Sequence, residues 1–191
     1  MARKYTPVGS FKMEGDVMRV SDPCYKKDVW CAGTIHNCKI GDWETAVVLS
    51  DEGQFGVRVA MLVAYNCDSG VSFSLADKIL SDGRFVPGTG FEHCDFEVGV
   101  DSACAGLYDD SKFGLDEVFA DAPPAPEYYG NGQGAVWDSH CCCATNNELR
   151  AGIIPCGVVS HSGFGDGGYD AYTHTGWDGK VDLVAIMYLA C

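Results

Sequence analysis

Four aspartates stand beside small residues or a proline, at the points where strand-like segments end. They are Asp22, Asp101, Asp109 and Asp166. Carboxylate oxygens are the ligands that hard divalent cations prefer, and they also accept hydrogen bonds from the hydroxyl and amine groups of organic ligands. If these strand ends meet at one edge of the fold, the sequence predicts an acidic binding site there.

Three further side chains complete this predicted site: His161, Ser162 and Tyr169. With a divalent cation on Asp22, Asp101 and Asp166, His161 would serve as the acid or base of a metal-assisted hydrolysis. In a second interpretation, each aspartate only accepts hydrogen bonds from the backbone of its own turn. The residues leave both interpretations open, and no cofactor other than such a cation is expected.

The segment at 162–170 reads SGFGDGGYD and contains four glycines. Such a loop reaches backbone conformations that other residues disfavour, at a cost in conformational entropy. The spacing of Gly163, Gly165 and Gly168 matches the dinucleotide fingerprint, but a strand-like segment follows where that fingerprint needs a helix. We expect Asp166 either to accept hydrogen bonds from backbone N–H groups of a neighbouring strand end or to line the site.

Other metal motifs are incomplete. A calcium-loop pattern begins at Asp109, but its twelfth position is Ala120 instead of an acid. The run Cys141–Cys143 follows His140, yet no C-x-x-C occurs in the chain. Eleven cysteines without an apolar leader segment predict a cytoplasmic protein with reduced, mostly buried thiols.

The charge balance bears on the partners. The 27 acidic and 13 basic residues give a formal net charge of −14. A negatively charged surface repels phosphates, which disfavours nucleic acid as a partner. The negative charge either keeps the protein soluble or lets it imitate a nucleic acid. No segment of about 20 apolar residues is present, so neither a transmembrane helix nor a membrane partner is expected.

Alternating and apolar segments place strands along most of the chain. The strands are predicted at 17–20, in a hairpin of 34–40 with 43–49, and at 55–65, 71–75 and 96–101. Residues 153–189 predict three strands in a meander, with the glycine-rich loop between the first two and a hairpin turn at Asp178-Gly179. Helical structure is expected within 114–120 and 128–145.

These elements predict a mainly β (α+β) fold. The expected architecture is an antiparallel sandwich or partly open barrel with one or two short helices. Residues 1–16 carry mixed charge and little pattern, so they are expected to be a loose N-terminal arm. Residues 17–191 are expected to form a single β-rich domain, because no long linker interrupts them.

Several ordered segments carry a family resemblance. SDPCY at 21–25 and SDEGQFGVRVAMLVA at 50–64 resemble small bacteriophage proteins. VGVDSACAGLYDD at 98–110 and SGFGDGGYDAY at 162–172 resemble the bacterial family DUF4241, which has a G-V-D-(S/A)-G stretch and a late S-G-(W/Y)-G-D-G-x-Y segment. The chain departs from that pattern at Ala103-Cys104, where the family usually has a glycine. The resemblance implies no activity.

The resemblance, the acidity and the lack of a complete catalytic set favour a phage-type accessory protein in the host cytoplasm. It would act by binding a host protein or a small molecule such as a signalling nucleotide. A nucleotide needs a positive or amide-rich pocket, for which the glycine-rich loop would supply backbone N–H groups. The alternatives are a metal-dependent hydrolase and a structural or decoration component of the virion. The residues indicate no oligomeric state.

Overall fold

Two antiparallel β-sheets pack face to face, and a short helix covers the outer side of one of them. The computed structural model describes residues 3–68, 91–124 and 135–189. All pairings between named strands are antiparallel, and neither sheet closes into a barrel within these residues. The prediction of a mainly β antiparallel sandwich with a short helix is confirmed.

The larger sheet has six strands. In spatial order they are β1 (Arg3–Met13), β4 (Gly41–Asp51), β5 (Val57–Asn66), β11 (Val181–Met187), β10 (Gly167–Thr175) and β6 (Phe91–Val100). The central strand β5 reads VRVAMLVAYN and is buried along most of its length. Its continuous apolar run suits a strand covered on both faces. The strand predicted at 71–75 lies outside the described residues.

The smaller sheet has five strands. In spatial order they are β3 (Gly33–Ile35), β2 (Met18–Ser21), β7 (Cys104–Asp109), β9 (Gly157–His161) and β8 (Ala151–Ile154). Side chains from the inner faces of both sheets form the main core, since alternate residues of a strand point to one face. Core members from both sheets include Met13, Trp43, Leu62, Leu107, Val158 and Ile186.

A second layer covers the outer face of the smaller sheet. It consists of helix α1 (Ala135–Ala144) and a 3-10 helix (Asp116–Phe119). The Trp137 ring packs 5.5 Å from that of Tyr108 and 5.8 Å from that of Phe119, and its indole N–H donates to the carbonyl oxygen of Pro23 at 3.0 Å. These contacts hold α1 over β7 and β9, and with it the Cys141–Cys143 run.

The N-terminal segment corrects one expectation. Residues 3–13 are not a loose arm, because β1 pairs with β4 along its length and buries Phe11 and Met13 in the core. The register of this pairing shifts between Pro7 and Gly9. That irregularity interrupts the alternation of apolar and polar residues, so the sequence pattern did not indicate a strand.

Two predicted pairings were also wrong. The segments 34–40 and 43–49 do not form a hairpin, because β3 lies in the smaller sheet and β4 in the larger one. Likewise β9 and β10 lie in different sheets, so the C-terminal residues form two hairpins and not one meander. The turn at Asp178-Gly179 does join β10 to β11, with Gly179 at φ 75°. A 3-10 helix (Gly53–Phe55) lies in the turn before β5.

Helical structure was expected within two segments. The 3-10 helix over Asp116–Phe119 confirms the first, and α1 confirms the second from residue 135 onward. Residues 128–134 lie outside the described residues. Within the described ranges, no helix is long and apolar enough to cross a membrane.

Candidate functional site

Asp22 holds the turn at 101–103, where the chain passes from β6 in the larger sheet to β7 in the smaller one. Its carboxylate is fully buried and has four protein donors. Oδ2 accepts the backbone N–H groups of Asp101 and Ser102, both at 2.8 Å. Oδ1 accepts the N–H of Cys24 and the hydroxyl of Ser102, also at 2.8 Å. Asp22 therefore fixes backbone, because its oxygens are occupied by donors of the protein itself.

Asp109 lies at the opposite end of β7, so the prediction that it joins the other aspartates at one edge was wrong. Its carboxylate is buried and accepts the N–H groups of Glu14 and Gly15 at 2.8 and 3.0 Å, together with the N–H and hydroxyl of Ser111 at 3.0 and 2.7 Å. Burial acts to raise the pKa of Asp109, but these hydrogen bonds outweigh it and lower the pKa. This aspartate stabilises two turns.

The loop at 162–166 crosses between the sheets and binds the 101–103 turn. Asp166 is exposed, and its Oδ1 accepts the N–H of Ala103 at 3.2 Å. The N–H of Ser162 donates to the carbonyl oxygen of Ala103 at 3.0 Å. Ser162 also donates its hydroxyl to the carbonyl oxygen of Gly165, and Tyr169 donates its own to the carbonyl oxygens of Ser162 and Gly165. Asp166, Ser162 and Tyr169 thus shape the loop itself.

Ala103 is in the left-handed region, at φ 58°, where glycine is favoured. The strained residue is held from both sides, since its N–H binds Asp166 and its carbonyl oxygen binds Ser162. A glycine would satisfy the same geometry without a Cβ. The departure from the glycine of the DUF4241 pattern falls at this strained position.

Asp101 is the predicted aspartate that faces an open cavity. It is exposed, and its Oδ2 accepts the hydroxyl of Tyr25 at 2.7 Å. Burial and this hydrogen bond raise the pKa of Tyr25. The cavity has a volume of about 370 Å³, within the range of ligand pockets. We call it the acidic pocket; its lining includes Tyr25, Trp30, Cys31, Glu97, Asp101 and Gly168.

Glycines make room for the acidic pocket. A Cβ on Gly168 would meet a carboxylate oxygen of Glu97, so the Glu97 side chain would have to move away from β10 if residue 168 were not glycine. A Cβ on Gly99 would lie 2.7 Å from the Sγ of Cys31. The glycine-rich segment therefore serves close approach of neighbouring groups as well as turning.

The acidic pocket combines two carboxylates with an exposed aromatic ring. Glu97 and Asp101 supply negative charge, and the Trp30 side chain is 88% exposed at the rim. A cation is attracted both by carboxylates and by the face of an indole ring. The chemistry of this pocket thus suits an ammonium or guanidinium group.

His161 lies away from the acidic pocket, against the expectation that it completes the same site. It faces the outer side of the smaller sheet, as the cross-strand neighbour of Cys104. Burial lowers the pKa of His161, and the nearby cations Arg150 and Arg58 lower it further. This histidine is therefore neutral near pH 7 and belongs to a positively charged part of the surface.

Beside His161 lies a cavity of about 260 Å³ lined by Cys104, Cys142, Cys143 and Thr145, among others. A hydrogen bond from Cys142 lowers the pKa of Cys104 despite its burial, and the Thr145 hydroxyl lies 3.8 Å from its sulfur. The ten described cysteines are all free, and six of them are buried. The prediction of mostly buried thiols is confirmed for those six and not for the other four, of which Cys24 and Cys67 are exposed and Cys142 and Cys143 are half-buried.

Several residues at these cavities escaped the sequence analysis. Trp30 and Glu97 carried one available signal, which is their position in segments adjoining Asp22 and Asp101 along the chain. Arg58 and Arg150 carried none beyond belonging to the minority of basic residues, because their proximity depends on how β5 packs against β9. Within the described residues, no group of three or more His, Cys, Asp or Glu side chains is placed to hold a metal ion.

Neither a protein-family model, nor a curated protein, nor a solved structure matches this chain. The resemblance to phage proteins and to DUF4241 accordingly stays a prediction from the sequence.

Proposed function

We propose that the protein acts by binding a partner protein, whose lysine or arginine side chain enters the acidic pocket. The single observation that carries this proposal is the position of Glu97 and Asp101 beside the exposed Trp30 in one cavity. Exposed aromatic residues are typical anchors of protein interfaces. The net charge of −14 favours association with a basic partner, because complementary charge accelerates encounter.

Binding is better supported than the metal-dependent hydrolase. Of the three candidate metal ligands, Asp22 has its oxygens occupied by four protein donors and is fully buried. Asp101 accepts the Tyr25 hydroxyl, and Asp166 accepts the N–H of Ala103. At Asp22 a cation would have to displace these donors, so the three carboxylates are not all available as ligands. The phage origin and the cytoplasmic location are proposals that rest on the sequence alone.

Fluorescence anisotropy with a labelled peptide tests the proposal. The probe is a four-arginine peptide, and its reference is the same peptide with glutamine at each arginine. We expect only the arginine peptide to bind, and we expect its dissociation constant to rise at least tenfold in the double variant Glu97→Gln/Asp101→Asn. The matched control is Glu92→Gln/Asp95→Asn, which removes two exposed charges from the same strand outside the pocket.

Three results would overturn the proposal. Equal binding of the glutamine peptide would remove the role of the cation. Equal loss of binding in the control variant would show that net charge, and not the pocket, attracts the peptide. Arginine methyl ester that binds as tightly as the peptide would identify a small organic cation, and not a partner protein, as the occupant.

A further inference from the structure

A third cavity, of about 390 Å³, opens at the end of β9 where the two sheets approach each other. It is lined by Val57, Asn146, Glu148, Arg150 and His161, among others, and Arg58 of β5 lies near it. We call this cavity the basic cleft. It is distinct from the acidic pocket, and no residue of the predicted site except His161 lines it.

An unusual backbone conformation places Arg150 at the wall of the basic cleft. Arg150 precedes β8 and has φ 54°, a left-handed conformation that is rare for a residue with a long side chain. Its N–H donates to the carbonyl oxygen of Asn147 at 3.1 Å, and its own carbonyl oxygen accepts the N–H of His161 at 2.8 Å. The Asn147 side chain donates to the carbonyl oxygens of Ala144 and Ala151, which fixes the loop that carries the arginine.

In the part of the chain that the structure describes, neither Arg58 nor Arg150 takes part in an ion pair. The Nε of Arg58 is buried and has no hydrogen-bond acceptor there. Glu148 lines the basic cleft without pairing with either arginine. In a chain with twice as many acids as bases, two arginines near one histidine, neither paired with a carboxylate of the described residues, are unexpected, and a buried donor without an acceptor is costly.

An aromatic surface adjoins the cations. The guanidinium carbon of Arg58 lies 5.7 Å from the centre of the Phe164 ring, and the Phe55 ring meets Phe164 edge-on at 5.8 Å. Phe55 and Phe164 are 54% and 57% exposed, and the exposed Val57 follows Phe55 closely in the chain. Large exposed apolar side chains in one place mark a contact surface for a ligand or a partner.

We propose that the basic cleft binds a small organic anion, in which a phosphate or carboxylate group adjoins an aromatic or apolar group. The anion would accept hydrogen bonds from Arg58 and Arg150, since the planar guanidinium fits both kinds of oxyanion. The apolar part would lie on Phe55, Val57 and Phe164. This site is independent of the acidic pocket, because none of its charged residues lines that pocket.

Three probes distinguish the parts of the ligand. Phenyl phosphate and phenylacetate share the ring and differ in the oxyanion, whereas inorganic phosphate lacks the ring. Titration of the ¹⁵N-labelled full chain followed by NMR gives both the dissociation constant and the position of the bound probe. We expect at least one of the two aromatic anions to bind at least tenfold more tightly than inorganic phosphate, and to shift the amide signals of residues 57–58, 146–150 and 161–164.

Two independent variants test the arginines. Arg150→Asn keeps a residue type that tolerates the left-handed conformation, and Arg58→Gln keeps most of the length of a half-buried side chain. We expect each to raise the dissociation constant of the bound aromatic anion at least fivefold. The control is Lys12→Gln, which removes an exposed cation paired in register with Asp42, at the other end of β4 from the cleft. Circular dichroism confirms that each variant is folded.

An aromatic phosphate that binds while the carboxylate does not identifies the ligand as a phosphate, and the reverse identifies a carboxylate. Inorganic phosphate that binds as tightly as the aromatic anions would overturn the role of Phe55 and Phe164. No binding of any probe, or equal weakening by Lys12→Gln, would overturn the site. Should Arg58→Gln fail to fold, Arg150→Asn carries the same test.

Discussion

The acidic pocket and the basic cleft are nearly equal in volume, about 370 and 390 Å³, and opposite in charge. The same crossing segment reaches both, since Gly167 and Gly168 line the acidic pocket and His161 lines the basic cleft. Their charged groups come from different strands: the carboxylates stand on and just after β6, whereas the cations stand on β5 and beside β8. One connection therefore joins a cavity lined by two carboxylates to a cavity beside two arginines, which a net charge of −14 does not suggest.

Removing the charge of Asp22 should disturb the acidic pocket, because this side chain holds the 101–103 turn and Asp101 of that turn lines the pocket. Asp22→Asn replaces a buried charged acceptor, and one of its amide N–H groups would face donors. We expect the free energy of unfolding to fall by about 3 kcal/mol, the cost of unsatisfied buried donors. Urea denaturation measures the change. An unfolding free energy within 1 kcal/mol of the parent would show that the turn does not depend on this carboxylate.

Relieving the strain at Ala103 should change the stability of the fold without altering the charges of the acidic pocket or of the basic cleft. Glycine removes a left-handed penalty of about 1–2 kcal/mol, but it also loses more conformational entropy on folding, which offsets part of the gain. Ala103→Gly should therefore stabilise the protein by roughly 0.5–1 kcal/mol. Thermal unfolding measures the gain. The matched control is Gly179→Ala at φ 75°, where no atom lies within 4 Å of the added Cβ, and it should shift stability the opposite way. Parallel shifts would contradict the assignment of strain.

Much of the strand content could be predicted, because β10 alternates and β5 and β11 contain continuous apolar runs, both of which are typical of strands. Pairing could not be predicted, because β3 and β4, though neighbours along the chain, lie in different sheets. That choice depends on which strands bury the shared core. β1 escaped detection since its register shifts between Pro7 and Gly9.

The candidate site, like the fold, could be predicted from the sequence only in part. Asp22, Asp101 and Asp166 do lie at one turn, and Asp166 accepts the N–H of Ala103 at a neighbouring strand end, which is one of the two roles expected for it. Their role as metal ligands stays a prediction. Whether a carboxylate faces solvent or backbone donors depends on the depth of its turn, which the spacing of residues does not encode. Asp22 is buried under the turn, whereas Asp101, on the turn itself, reaches the cavity.

Protonation of His161, which lines the basic cleft and not the acidic pocket, should make the stability of the fold depend on pH. The groups facing it are Arg58 on β5, Arg150 and Glu148 before β8, and Cys104 on β7. Burial and the two arginines lower its pKa in the folded state, so below about pH 6.5 the unfolded state takes up the proton more readily. Its contribution to stability is complete above that pH and is lost as the pH falls.

We therefore expect His161→Gln to reduce the loss of melting temperature between pH 7.5 and pH 5.5. The exposed His36, in the variant His36→Gln, is the control and should leave this loss unchanged. A steeper loss in His161→Gln would mean that protonation of His161 stabilises the fold. Repeating the melting-temperature measurements at both pH values with phenyl phosphate present connects the result to the basic cleft, since a bound anion would favour the protonated imidazole.

The smallest effect should come from Asp166, although it stands in the middle of the glycine-rich loop. Its carboxylate is exposed and accepts one hydrogen bond of 3.2 Å from Ala103. Asp166→Asn keeps an acceptor oxygen, so we expect a loss of about 0.5 kcal/mol. Urea denaturation beside Asp22→Asn provides the comparison. A loss as large as that of Asp22→Asn would show that the loop, and not the buried carboxylate, holds the turn.

The order of strands in the larger sheet also affects how the chain is made. β5 lies between β4 and β11, and β11 begins only at Val181, whereas β5 ends at Asn66. During translation, β5 therefore leaves the ribosome with one edge unpaired, and its sequence VAMLVA is strongly apolar. Such an edge is a template for pairing with other chains, so the nascent protein is exposed to aggregation until β11 has been synthesised.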